Sequence, residues 1–392
     1  MMPVEVAPRP PGSRPSPAAG SGGLARALSA GRALPWRPVL LSFVAARIVV
    51  LLALLVAQLL HLRDGDLRTE GLLGWDAAWY ERIAGQGYDP LPAEALRFFP
   101  LLPLLARGLA PLLLGSEGAA LLVLSNGGAI AFGLLLHRLA VREGLGEAVA
   151  GRAVWAAAFA PAAFVQVMGY TEPLYGALVC GLLLAVRSRR WMLVGLLGAL
   201  AGALRPPGVL LAVVVLVEAC AGLRAAGARE RLARLAAVLA PAAGLGGYLL
   251  WVRLRYGDAL LPFRAQVEPD LRGGAFVDPL PGVVDALRGL LTGQLAGSGL
   301  HVAWAIVALA LLVVVWRHLP LSYVALAGLT VLLGMTARSM TSFERYAGSA
   351  VPLLLGAAIL TASSRVRSTT MWVAPVLLAV YATMAFLHLY VP

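Results

Sequence analysis

The chain has 392 residues, 60% of them hydrophobic and 13% charged, with a mean hydropathy of +0.81. A soluble domain has about a quarter of its residues charged, so this composition excludes a water-soluble globule and requires membrane spans. The net charge of +12 is not a nucleic-acid footprint: all 32 basic residues are Arg, gathered in short loops such as "RSRR", "LRAAGARERLARL" and "SSRVR", while acids concentrate at 64–94 and 258–285. That is the charge asymmetry by which helical membrane proteins orient themselves, with the basic loops in the cytoplasm.

In chain order, residues 1–37 are rich in Pro, Gly, Ser and Ala with five Arg, which predicts a disordered cytoplasmic tail with little to bury. The apolar run from Val39 to Leu60 is too long for a signal-peptide core and predicts a first span that is retained. Further spans are expected near 119–137, 152–168, 171–187, 191–204, 207–222, 235–252, 300–316, 320–336, 346–362 and 370–390. The fold class is therefore all-α: a polytopic transmembrane domain over 38–392 with about eleven spans. Alternation puts two sizeable loops, near 61–118 and 253–299, on the extracytoplasmic side of the cytoplasmic membrane. No repeat relates the two halves, which lowers the expectation of an inverted-repeat transporter.

The chain's polar oddities fall on that one face. A helix over 75–87 would align Asp76, Tyr80, Ile83 and Gly87 on one stripe, with Trp75 and Trp79 beside it at headgroup depth. A simpler reading makes Asp76 a cap near the helix start. Tyr170 and Glu172 stand at the outer mouth of a span, Arg205 precedes two prolines, and Arg338 and Arg345 bracket another span end. Each alone could be snorkelling to the interface, but together they describe an acid and several arginines around a hydrophobic groove. Guanidinium groups match phosphate oxygens in bidentate fashion, so the set suits a lipid-linked phosphate. Asp76 would then act as base toward an acceptor hydroxyl; a phosphate leaving group needs no general acid.

Other chemistries lack their signatures. There is no P-loop, no GxGxxG after a strand, no HExxH and no GxSxG. Cys180 and Cys220 lie inside apolar runs and read as small buried hydrophobes, and the five histidines are scattered. The acids of "DGD" at 64–66 fit a solvated turn better than a divalent-cation site, so no cofactor is assigned and a metal requirement stays open.

The segment "WDAAWYERIAGQGYDP…RFFPLLPLL" resembles the signature of the PIG-V family, the GPI mannosyltransferase II-like membrane proteins. "YTEPLYGALVCGLLLAVRSRRWMLVGLLGALAGALRPPGVLL" is similar to two later blocks of that family, so the resemblance covers about 75–210. It implies a GT-C fold and an inverting glycosyltransferase that uses a polyprenyl-phosphate sugar, typically mannose. Asp76 corresponds to the family's WD aspartate, and Phe98, Phe99 and Pro100 to its FFP block, which would shape the groove. Glu172 stands at the acidic position of the second block, where Thr171 and Pro173 depart from the family's serines. Arg205 matches the arginine of the third and would meet the donor phosphate. The expected partners are the donor, an acceptor glycan, lipid or protein, and the membrane. The runner-up function is a transporter or flippase of a lipid-linked glycan.

Overall fold

The computed structural model describes residues 35–64, 69, 71–265, 283–284, 287–288, 291–292, 300–336, 340 and 342–390. Nearly all of the expected tail and much of the expected 253–299 loop lie outside the described residues. Within them, all regular structure is helical.

The long helices are α1 Trp36–Arg63, α4 Glu117–Arg142, α9 Ala228–Tyr256, α11 Leu321–Met335 with its predecessor α10 Leu300–His318, and the last helix, α14 Ser364–Phe386. Between them lie α2 Asp76–Gln86, α3 Leu101–Leu109, α5 Glu147–Phe159, α6 Glu172–Arg187, α7 Trp191–Leu204, α8 Leu211–Cys220, α12 Phe343–Ser349 and α13 Val351–Leu360. Trp36 and Arg37, expected in the tail, belong to α1.

About eleven spans were expected; among the described residues, five helices are long and apolar enough to cross a bilayer: α1, α4, α9, His301–His318 of α10, and α14. The other apolar stretches are shorter, and their breaks have local causes. The expected span at 152–168 stops at Phe159, and Pro161 opens a 3-10 turn over Pro161–Gln166. The expected span at 207–222 begins as a 3-10 turn over Pro206–Leu210 before α8. The expected span at 346–362 is divided between α12 and α13 at Ala350, which is extended just ahead of Val351 and Pro352. Proline lacks the amide for an intrahelical bond and pushes the preceding residue out of the helical region. The expected loop at 61–118 holds α2, α3 and two 3-10 turns.

Small residues let the helices approach. Gly198 and Gly202 of α7 face Pro241 of α9, and Gly244 of α9 faces Ala199; a side chain at Gly202 would run into the Pro241 carbonyl. Close backbone contact of this kind supplies packing where lipid offers no hydrophobic drive. Arg47, inside α1, pairs with no acid among the described residues; its Nε donates to Asn126 Oδ1 at 3.0 Å and its Nη2 to the Gln166 carbonyl at 2.9 Å. An ionised group at such depth persists only when its donors are satisfied.

Two ends of the bundle carry polar networks. At one, Arg187 at the end of α6 donates from Nε to Glu143 at 2.7 Å and from Nη1 to Glu218 of α8 at 2.8 Å. Ser322 donates to Glu218, and Tyr323 donates to Glu143 at 2.9 Å, bringing in the start of α11. The other end, where α6 begins, holds the groups that sequence singled out.

Candidate functional site

Glu172 is the first residue of α6, and Arg205 follows the last residue of α7 in an extended conformation ahead of Pro206 and Pro207. An acid at a helix start and a cation past a helix end both complement the helix dipoles. Across that junction Arg205 Nη1 donates to Glu172 Oε1 at 2.9 Å, with both side chains under 10% exposed. Arg345 comes from the first turn of α12, and its Nη1 donates to Asp76 Oδ2 at 2.6 Å. Its Nε lies 3.6 Å from Glu172 Oε1 and makes no hydrogen bond.

The result is a chain of alternating charge, Asp76–Arg345–Glu172–Arg205, balanced overall. Asp76 is its accessible end, with a side chain 27% exposed against 9% for Arg345. It does not cap its helix: Trp75 is the cap residue, without a side-chain hydrogen bond to the helix. Instead the Asp76 amide donates to the Tyr170 hydroxyl at 3.2 Å, and Ser125 donates to the Tyr170 carbonyl at 2.7 Å. Thr171 donates to Glu172 Oε2 at 3.4 Å. Aromatic faces wall the cations, with Tyr175 and Tyr346 beside Arg205 and Tyr170 beside Arg345, each guanidinium within 6 Å of the ring centre.

The aromatic residues divide. Tyr80 is buried and feels the charges of Asp76, Glu172 and Arg205. Trp79 stacks on Phe98 at 5.6 Å, and Tyr80 meets the same ring edge-on at 5.3 Å. Phe99 turns away, packing on Tyr248 of α9 at 4.7 Å, so it buttresses the segment from behind rather than lining the charge cluster. Trp75 also has a supporting role: its Nε1 donates to the Ala385 carbonyl at 3.0 Å and its ring lies 4.6 Å from His388. Its backbone sits at φ 57, a region costing a non-glycine residue about 1–3 kcal/mol, and those two contacts hold it there. Arg338 lies outside the described residues.

Sequence reasoning passed over a second network on the same helix. Glu344, next to Arg345, receives His301 Nδ1 at 2.8 Å and the Tyr390 hydroxyl at 2.9 Å, both on Oε2. Tyr381 reaches its Oε1 at 3.5 Å, and Trp304 donates to the Tyr381 hydroxyl at 2.6 Å. His301 and Tyr390 each read as an ordinary interfacial residue; the available signal was an acid, Glu344, directly beside an arginine in a run that otherwise reads as a span end. Among the described residues no group of three or more His, Cys, Asp or Glu could hold a metal ion.

The helices and this site define a multi-pass helical membrane protein with a buried, charge-balanced cluster at one end of its bundle. No family model and no curated protein matches the chain. Among solved structures, it is similar to the Archaeoglobus fulgidus oligosaccharyltransferase, solved with zinc and sulfate, at 15% identity and a TM-score of 0.45. That likeness covers 86% of this chain and 53% of the other, so the chain spans about half the length of the protein it matches.

Proposed function

We propose that the chain is an inverting glycosyltransferase that moves a hexose, mannose in the first instance, from a polyprenyl phosphate to an acceptor hydroxyl on the extracytoplasmic face of the cytoplasmic membrane. The observation that carries this reading is the half-used guanidinium of Arg345, which grips the accessible carboxylate of Asp76 while its Nε is buried without a hydrogen bond. A phosphate oxygen would satisfy that donor. The PIG-V-like sequence of 75–100 points to the same residue, Asp76.

In this reading the donor phosphate docks against Arg345 and Arg205. It competes with Asp76 for the Arg345 guanidinium, leaving the carboxylate free to accept a proton. The acceptor oxygen attacks the anomeric carbon opposite the phosphate and forms the new C–O bond. The old bond breaks with its electron pair passing to the phosphate, and Asp76 takes the acceptor's proton. One displacement inverts the anomeric centre. Glu172 keeps Arg205 in place and does no chemistry. Trp79, Tyr80, Phe98 and Tyr170 shape the wall, and Arg338 is assigned to the donor side by sequence alone. A carrier would hold such charges near the bilayer midplane, whereas Asp76, Glu172, Arg205 and Arg345 gather at one end of the bundle, and this favours the enzyme.

The test is sugar transfer by purified protein given radiolabelled polyprenyl-phosphate mannose and native membrane extract, wild type beside Asp76→Asn. A base of this kind contributes about 10²–10⁴-fold, so the variant should be nearly silent while still binding the donor. Equal transfer by both proteins would remove Asp76 from the chemistry. Arg205→Ala should mainly raise the donor KM, and an unchanged KM would remove it from the phosphate.

A further inference from the structure

A second feature lies away from the charge cluster. α1, α5, α10, α13 and α14 enclose an apolar groove of about 690 Å³, walled by side chains such as Trp155, Leu311, Leu354 and Leu377. Its inner end is closed by Trp304 and by Glu344, whose carboxylate is already satisfied by His301 and Tyr390. Its outer end carries Arg152 of α5 and Arg367 of α14, with Thr361 and Thr370 beside them. These arginines are close enough for the charge of one to bear on the other. Arg152 Nε donates to the Ala358 carbonyl at 3.1 Å, and no carboxylate pairs with either arginine among the described residues. Glu147, at the start of α5, lies 3.3 Å from His137.

The dimensions select an occupant. Below its arginine, the stretch of α14 that lines the groove, Arg367–Leu377, rises about 15 Å at 1.5 Å per residue. That is close to half of a hydrocarbon core of about 30 Å, the depth of one leaflet. Apolar walls one leaflet deep, with two unpaired guanidinium groups at the headgroup end, match a membrane lipid of that leaflet. The arginine mouth is at the opposite end of α13 from α12, which supplies Arg345 to Asp76. A polyprenyl donor with its phosphate at this mouth would therefore hold its sugar at the wrong end of the bundle. We propose that this groove binds one anionic diacyl phospholipid, its phosphate between Arg152 and Arg367 and an acyl chain along α5 and α14 toward Trp304.

The experiment is spin-label partitioning with the full chain reconstituted in phosphatidylcholine nanodiscs that contain either spin-labelled phosphatidylglycerol or spin-labelled phosphatidylcholine. The immobilised fraction should be larger for phosphatidylglycerol. It should fall roughly five-fold for each of Arg152→Gln and Arg367→Gln, the factor corresponding to about 1 kcal/mol per basic residue near a membrane surface. Arg152→Lys should retain most of it and shows that the fold tolerates change there. Gly151 lines the groove and a Cβ added to it meets nothing within 4 Å, so the backbone there accepts a side chain and Gly151→Leu should displace the label. The proposal is overturned by equal immobilisation of the two lipids, or by a preference that survives both arginine substitutions. It is equally overturned if Gly151→Leu leaves the label in place, if undecaprenyl phosphate displaces it in preference to phosphatidylglycerol, or if a second copy of the chain proves to fill the groove.

Discussion

Replacing Glu172 by Gln keeps the side chain's shape and removes the charge that two buried arginines share. Arg205 sits 2.9 Å from it and Arg345 3.6 Å, and all three side chains are under 10% exposed. In the variant, Asp76 is the one remaining acid of the cluster, and it reaches Arg345 alone. Arg205 is then an unmatched buried cation. Removing one partner of a buried pair costs about 3–5 kcal/mol because the other charge keeps its desolvation penalty. Against a net stability of about 5–15 kcal/mol, such a loss should be plain in the thermal unfolding of the detergent-solubilised protein. The decisive comparison is with Arg205→Gln and with the double variant. If the cost comes from an orphaned charge, removing both charges should recover much of what either single change loses, since neighbours of this kind are non-additive. A single variant that melts like wild type would refute the reasoning, and so would a double variant as unstable as the two losses summed.

Three further outcomes follow from other parts of the molecule. Gly202→Leu should separate α7 from α9, because its side chain would meet the Pro241 carbonyl; overpacking of this sort costs about 1–3 kcal/mol or more, and unfolding temperature reads it. Tyr390→Phe removes one hydrogen bond to the buried Glu344 carboxylate and should cost about 1.5–3 kcal/mol in the same assay, with His301 still in place. The third concerns pH. Arg255 and Tyr256 donate to Asp89 and hold its carboxyl below the usual range, so the folded form binds its proton less readily than the unfolded chain does. The contact therefore contributes fully above the ordinary carboxylate pKa and is lost as pH falls through the folded value. Protection of the amides of Gly87, Tyr88, Asp89 and Leu91, taken relative to the intrinsic exchange rate at each pH, should fall on acidification in wild type, and Asp89→Asn should show the lowered protection already at neutral pH.

Much of the charge cluster was legible in the sequence, for a physical reason. Asp76, Glu172, Arg205 and Arg345 are ionisable groups at the ends of apolar runs, where each is costly alone, and topology forced them onto one face. The helix expected over 75–87 forms over Asp76–Gln86, with Tyr80 and Ile83 buried as the stripe required. What was not legible is who pairs with whom. Nothing in the spacing of 172, 205 and 345 says that Arg345 would bridge two carboxylates, or that Phe99 would turn from Phe98 toward Tyr248. Hydropathy also could not divide the apolar runs: it averages over Pro161, Pro206 and Pro352, and those residues set where the helices stop. His301, Glu344 and Tyr390 stayed hidden because each is isolated in sequence and meaningful only as a group.

Helix α6 has a mechanical consequence of its own. Its first residue is pinned by Arg205 and its last by Glu143 and Glu218, so it is bolted through ion pairs at both ends. Sliding it by one turn, about 5.4 Å, would break both fastenings at once. A rod fixed in this way behaves as the stator of the molecule. In the proposed reaction, whatever shifts to admit the donor has to move around α6, and the Arg345–Asp76 contact, which has an accessible partner in Asp76, is the fastening a phosphate would open. A spectroscopic distance from α6 to α4 should stay constant through that reaction cycle.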